Sequence, residues 1–210
     1  MQINYEKLLI INNNLKKFPN TTLQIVTKQR KVDLVNELIS HGYKLFGENR
    51  VQEAKEKYAG IDCSKINLHL IGPLQTNKVL DALQLFDTIQ TIDRPNLVDA
   101  IVKILIKKKV KTKNYYIQVN IGEESQKSGV HPSLLNQLYN LCMENNLNIE
   151  GLMCIPPKDK DPMMYFNHLN NLRDSINHNL KLSMGMSSDY EIALEAGSNL
   201  IRIGSLVFDE

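Results

Sequence analysis

The chain is poor in cysteine: it has three, Cys63, Cys142 and Cys154, among 210 residues. No two are spaced C-x-x-C, and an odd count makes a poor disulfide framework. They read as reduced thiols of a cytoplasmic protein. No cysteine and histidine cluster has metal-ligand spacing, which argues against a zinc centre. No apolar run approaches the length of a membrane span. The start, Met1-Gln-Ile-Asn-Tyr-Glu-Lys, lacks the basic region and apolar stretch of a secretion signal. A strong charge of one sign is missing as well. The net charge is +2, and so weak a bias does not argue for a nucleic-acid partner. The one basic run, residues 107–113, reads as a solvated helix end, where cations are favoured, with contact to nucleic acid or an acidic partner as the alternative. There is no linker, repeat or low-complexity segment, so residues 1–210 are expected to form one domain, long enough to bury a core without staples.

What is present is a regular alternation of short β-rich runs and amphipathic stretches. A lead-in helix is expected over residues 3–17. Strands follow at Leu23–Thr27, Tyr43–Phe46, Ile66–Ile71, Thr88–Ile92, Tyr115–Ile121, Ile149–Ile155, Leu182–Met184 and Leu200–Ile203. Each of the first seven is followed by a helical pattern. Gly47 and Gly72-Pro73 read as strand stops, and Pro132 as a first helical residue. Strict β-then-α order implies parallel strands with right-handed crossovers. The expected fold is α/β, a single (β/α)8 TIM barrel with an extra N-terminal helix; an open doubly wound sheet is the alternative.

Barrel sites lie at the carboxyl ends of the strands. Lys28 ends the first strand there, where partial desolvation would favour a neutral amine able to form a Schiff base with an aldehyde. The competing reading is a solvated loop, with Gln29, Arg30 and Lys31 behind it. After strands seven and eight come Gly185, Ser187 and Ser188, then Arg202, Gly204 and Ser205. Small residues at glycine-rich turns and helix starts suit a phosphate, and barrels often bind one after strands 7 and 8. An aldehyde that also bears a phosphate describes pyridoxal 5′-phosphate (PLP). Some other phosphorylated metabolite is the bland alternative. Arg202 could donate to a ring nitrogen or pair across the barrel floor, and Asn49 could orient a ring hydroxyl or serve as a turn residue. His69, between Leu68 and Leu70, reads as an inward core histidine rather than a catalytic one, and Glu123 and Glu124 as a solvated loop rather than an acid-base pair.

The ordered segments Val26-Thr-Lys28, Phe46-Gly-Glu-Asn-Arg-Val-Gln-Glu53, His69-Leu-Ile-Gly-Pro-Leu-Gln-Thr-Asn-Lys78, Val119 to Gly129, Gly151-Leu-Met153, Leu182-Ser-Met-Gly-Met-Ser-Ser-Asp189 and Arg202-Ile-Gly-Ser205 span nearly the whole chain. Together they resemble the YggS/PROSC family of PLP homeostasis proteins, related to the N-terminal barrel of alanine racemase. The resemblance implies that Lys28 carries PLP as a Schiff base and that Arg202 faces the pyridine nitrogen. It implies a phosphate held on Ser187, Gly204 and Ser205 with help around Ser183 and Met184, and Asn49 near the ring. Thr27 and Leu68 depart from the family's usual serine and aromatic, and Ser205 stands where threonine is common.

The expected role is storage, buffering or delivery of PLP to apo-enzymes by a monomer, without robust catalysis. An arginine at the ring nitrogen can only donate, which leaves the ring a weak electron sink. A racemase also needs a second acid-base group. In the alanine racemase relatives a second domain supplies it, and the chain is read as ending before such a domain. The alternative is a PLP-dependent amino-acid racemase or a related weak enzyme.

Overall fold

Eight parallel strands pair in chain order and close on themselves in the computed structural model, which describes residues 2–209. The outer limits expected for the domain, residues 1 and 210, lie outside the described residues. The strands are β1 (Thr22–Val26), β2 (Leu45–Glu48), β3 (Asn67–Leu70), β4 (Thr88–Ile92), β5 (Asn114–Val119), β6 (Ile149–Cys154), β7 (Lys181–Ser183) and β8 (Leu200–Ile203). Closure is made by β1 and β8, in register from Thr22 opposite Leu200 to Ile25 opposite Ile203. That pairing excludes the open sheet.

Among the described residues seven α-helices run between the strands: α2 (Val32–Ser40), α3 (Val51–Lys57), α4 (Val79–Leu85), α5 (Pro95–Leu105), α6 (Leu135–Glu144), α7 (Pro162–Ile176) and α8 (Tyr190–Glu195). The first helix, α1 (Tyr5–Leu15), precedes β1 and fills the place between α8 and α2. Its Tyr5 hydroxyl donates to Glu37 of α2 at 2.7 Å, and its Asn14 amide to the Tyr190 hydroxyl of α8 at 3.0 Å. The outward residues of the strands, among them Ile25, Phe46, Leu68, Ile89, Ile117, Leu152 and Ile201, are fully buried. They pack on helix residues such as Val35, Leu38, Ala54, Leu83, Ile101 and Phe166. Each large apolar side chain so buried contributes roughly 1.5–3 kcal/mol before entropy is subtracted.

Two local expectations change. The lead-in helix begins at Tyr5 rather than residue 3, because Ile3 forms an antiparallel bridge with Phe208 and Asn4 caps the helix, its side chain accepting from Lys7 N–H at 2.9 Å. The second strand lies two residues later than expected, since Gly47 sits inside β2 instead of stopping it. A Cβ at Gly47 would come within 3.1 Å of the Gln24 amide and of Ile71, so the glycine makes room inside the barrel. The basic run 107–113 falls between α5 and β5, on the face away from the strands' carboxyl ends, with Lys111 paired to Asp87 at 2.9 Å.

The middle of the barrel is polar. Gln24, His69, Gln90, Ser183 and Arg202, from five different strands, are all buried and meet there. Aliphatic layers are the usual filling of such a barrel.

Candidate functional site

A cavity of about 380 Å³ opens at the carboxyl end of the barrel, within the range of small-molecule pockets. Strand pleating explains its wall. Side chains alternate, so Val26 and Lys28 continue the inward row begun by Gln24, and Gly204 continues the row of Arg202. Asn49 and Ser205 complete the rim, facing Ser187 and Ser188. Six of the expected site residues therefore share one cavity: Lys28, Asn49, Ser187, Arg202, Gly204 and Ser205.

Ser183 and Met184 do not line it. Met184 is fully buried in the core, and its N–H is engaged by Leu200 O at 3.1 Å. The Ser183 hydroxyl points into the barrel beneath the cavity, between Gln90 and Arg202. The stretch Ser183–Met184 is still strand or strand end, so its backbone is committed to the sheet before the chain reaches the cavity. Nor does the start of α8 line the cavity. Helix α8 is six residues long, and Asp189 at its start accepts from Met186 N–H at 2.6 Å. The turn over residues 186–188 faces the cavity instead. Gly185 makes that turn with φ +95°, and a Cβ there would lie 2.5 Å from the Ala193 methyl.

Lys28 is solvent-exposed and makes no ion pair among the described residues. Its side chain is open to solvent, and what is held is its backbone. Glu53 Oε1 accepts from Gln29 N–H at 2.5 Å, and Lys57 Nζ donates to Thr27 O at 2.5 Å. Gln29 takes φ +58°, a left-handed backbone that costs a non-glycine residue of order 1 kcal/mol. Lys57 also bonds Glu48 at 2.8 Å and Glu53 at 2.9 Å. The Thr27 hydroxyl donates to Glu48 at 2.7 Å and contacts the Tyr58 hydroxyl at 2.9 Å. Burial pushes the Glu48 carboxyl above its ordinary range, against the pull of Lys57 and Thr27. Burial also raises Glu53, but bonds from Lys57 and Gln29 outweigh it and leave Glu53 low.

Arg202 forms part of the cavity floor. Its Nη1 donates to Ser183 Oγ at 2.7 Å and its Nη2 to Cys154 O at 2.8 Å. It is 4% exposed, and no carboxylate lies within ion-pair distance among the described residues. Burial pulls its pKa down from the ordinary value. A guanidinium buried without a carboxylate is costly, and the two acceptors reduce that cost. His69 lies deeper, and burial, with the Lys181 charge adding, pushes its imidazole down to about 3. His69 is thus a neutral core histidine, as its place between two leucines predicts. Glu123 pairs with His131 at 2.9 Å and Glu124 with Lys127 at 2.5 Å, both away from the cavity.

Sequence reasoning missed Gln24 and Gln90, and the mount made by Glu48, Glu53, Lys57 and Tyr58. A signal existed for each group. Glutamines alternate with apolar residues in β1 and β4, and Glu53 and Lys57 stand four apart on one helix. All three cysteines are free; burial pushes the Cys142 and Cys154 thiols up to about 12, so neither is a ready nucleophile. Among the described residues no helix is long and apolar enough to cross a membrane, and no group of three His, Cys, Asp or Glu could hold a metal.

Comparison with known proteins agrees with this geometry. The profile of the alanine racemase N-terminal domain matches residues 10–209. The pyridoxal phosphate homeostasis protein of Aquifex aeolicus is 39% identical, over 85% of this chain and 82% of that protein. Its namesake in Escherichia coli K12 is 33% identical, over 89% and 84%. PipY of Synechococcus elongatus PCC7942, solved without PLP, superposes with a TM-score of 0.87 at 31% identity, covering 97% of this chain and 99% of PipY. PipY solved with PLP bound gives 0.84 at 30% identity over the same shares. An alanine racemase of Clostridium difficile 630 shares the fold at 14% identity, with a TM-score of 0.76. The chain belongs to the pyridoxal phosphate homeostasis proteins, a family built on the alanine racemase N-terminal barrel.

Proposed function

We propose that this protein binds PLP in the cavity at the carboxyl end of the barrel and acts in intracellular PLP homeostasis, by storage, buffering or delivery to apo-enzymes. One observation carries the reading: an exposed lysine amine, a buried arginine and two small-residue turns meet on a single cavity. The residues fit the cofactor. Lys28 Nζ is the amine that would take the aldehyde carbon in a Schiff base. Ser187, Gly204 and Ser205 would hold the phosphate through hydroxyl and backbone N–H donors. Arg202, a donor only, would face the ring nitrogen, and Asn49 would lie beside the ring. When bound, PLP supplies an electron sink, strongest when its ring nitrogen is protonated. Arg202 disfavours that proton. The fixed turn at Thr27–Gln29 holds the amine at the rim while its side chain stays open to solvent.

The cavity wall also favours holding over catalysis. Among the described residues it carries no carboxylate, imidazole, thiol or phenol that could serve as a second acid-base group. The proposed setting is the cytoplasm, which the free thiols fit, and the proposed state is a monomer. The test is the absorbance of the purified protein with PLP, then borohydride reduction and peptide mapping. A yellow band with the pyridoxyl group fixed on Lys28, lost in Lys28→Ala, is expected. An adduct spread over surface lysines would refute the anchor. Rapid α-hydrogen exchange of amino acids in deuterated water, abolished by Lys28→Ala, would replace the carrier with a racemase-like enzyme.

A further inference from the structure

A directed chain of hydrogen bonds runs down the barrel from the cavity floor. Arg202 can only donate, so Ser183 Oγ accepts from Nη1 at 2.7 Å and must turn its own proton elsewhere. It donates to Gln90 Oε1 at 2.6 Å. That orients the Gln90 amide, whose nitrogen then faces Gln24 Oε1 at 3.1 Å and His69 Nδ1 at 2.7 Å. His69 Nδ1 is therefore the acceptor, and Nε2 carries the proton to Asn67 Oδ1 at 3.1 Å. Every link runs away from the cavity, and Gln24, Gln90 and Ser183 are fully buried. Glycine at position 47 leaves the space that Gln24 fills.

We infer that Ser183 and Gln90 are positioning residues: they fix the plane of the Arg202 guanidinium so that it presents a donor to the ring nitrogen of the bound cofactor. The inference rests on the PLP reading above. Cys154 O alone holds Arg202 on one side and leaves it free to swing about that bond. Ser183 adds the second point, and a guanidinium held at two points has one orientation. Gln90 acts one step back. Without its carbonyl the Ser183 proton loses the acceptor that turns the hydroxyl's lone pairs toward Arg202. Bonds in such a chain polarise one another, so the links act as a unit.

The test compares PLP with its 1-deaza analogue, in which carbon replaces the ring nitrogen. Ser183→Ala and Gln90→Leu should each weaken PLP binding about tenfold. The double variant should be no weaker than Ser183→Ala alone, because Gln90 works through Ser183. Neither variant should change affinity for the deaza analogue, which offers Arg202 no acceptor. Ser183→Cys and Gln90→Met carry the same comparison if the first pair does not fold. Equal losses for both ligands, additive losses, or no loss overturn the inference and leave these residues as packing. Absence of any Lys28 adduct in the wild-type protein, read by mass mapping, overturns the cofactor reading itself and this inference with it.

Discussion

His69 is an imidazole that the fold keeps neutral. Its ordinary value of 6.5 falls to about 3, first through burial and then through the Lys181 charge. Below pH 6.5 the unfolded chain takes up a proton that the folded chain refuses. The stability due to neutral His69 is therefore whole above pH 6.5 and is lost as the pH falls toward 3, at up to about 1.4 kcal/mol per pH unit. His69→Gln removes that proton uptake. Thermal melts between pH 6.5 and 4 should fall more steeply for wild type than for His69→Gln; parallel curves would mean that His69 is protonated in place. Lys28 is the opposite kind of residue. Nothing buries its side chain, and its importance comes from where the backbone delivers it.

At the scale of elements, the end of β1 is held by α3. Lys57 reaches back from α3 to Thr27 O and to two carboxylates, Glu48 and Glu53. Its side chain is 7% exposed and that of Glu48 is 0%. Removing one partner of a buried pair leaves an uncompensated charge and costs about 3–5 kcal/mol. Lys57→Met should lose stability on that scale in urea melts, and Lys57→Met with Glu48→Gln should regain part of it. The same variant should slow formation of the Lys28 adduct, because Thr27 O is released. Full stability in Lys57→Met would show that the network is solvent-relaxed.

At the scale of the whole molecule, closure is uneven. Strand β1 matches β8 over four register pairs, whereas β7 and β8 share one, Ser183 with Leu200. Side chains from the loop before β8 staple the weak seam. Ser198 Oγ donates to Met184 O at 2.7 Å, and Asn199 Oδ1 accepts from Leu182 N–H at 2.8 Å. Ser198→Ala leaves a buried carbonyl without its partner and should cost about 1–3 kcal/mol. Amide exchange should rise first in β7 and β8, beside the proposed phosphate turns. Uniform exchange around the barrel would contradict an uneven closure.

The sequence by itself determined the order and kind of the elements, favoured the barrel over an open sheet, and named six of the eight expected residues that line the cavity at its mouth. Those follow from periodicity and chain order: alternation says which side of a strand a residue takes, and β-then-α order puts Lys28 and Gly204 at the same end. Gly47 misled because a glycine that ends a strand and one that makes room inside it look alike in one dimension. Only the tertiary structure decided what lies opposite what. Ser183 and Gln90 are 93 residues apart, and their bond exists because closure sets β4 across the barrel from β7. The same closure turned Ser183 away from the cavity and into the support of Arg202. Partners across a barrel depend on register and curvature, which a pattern along the chain does not carry.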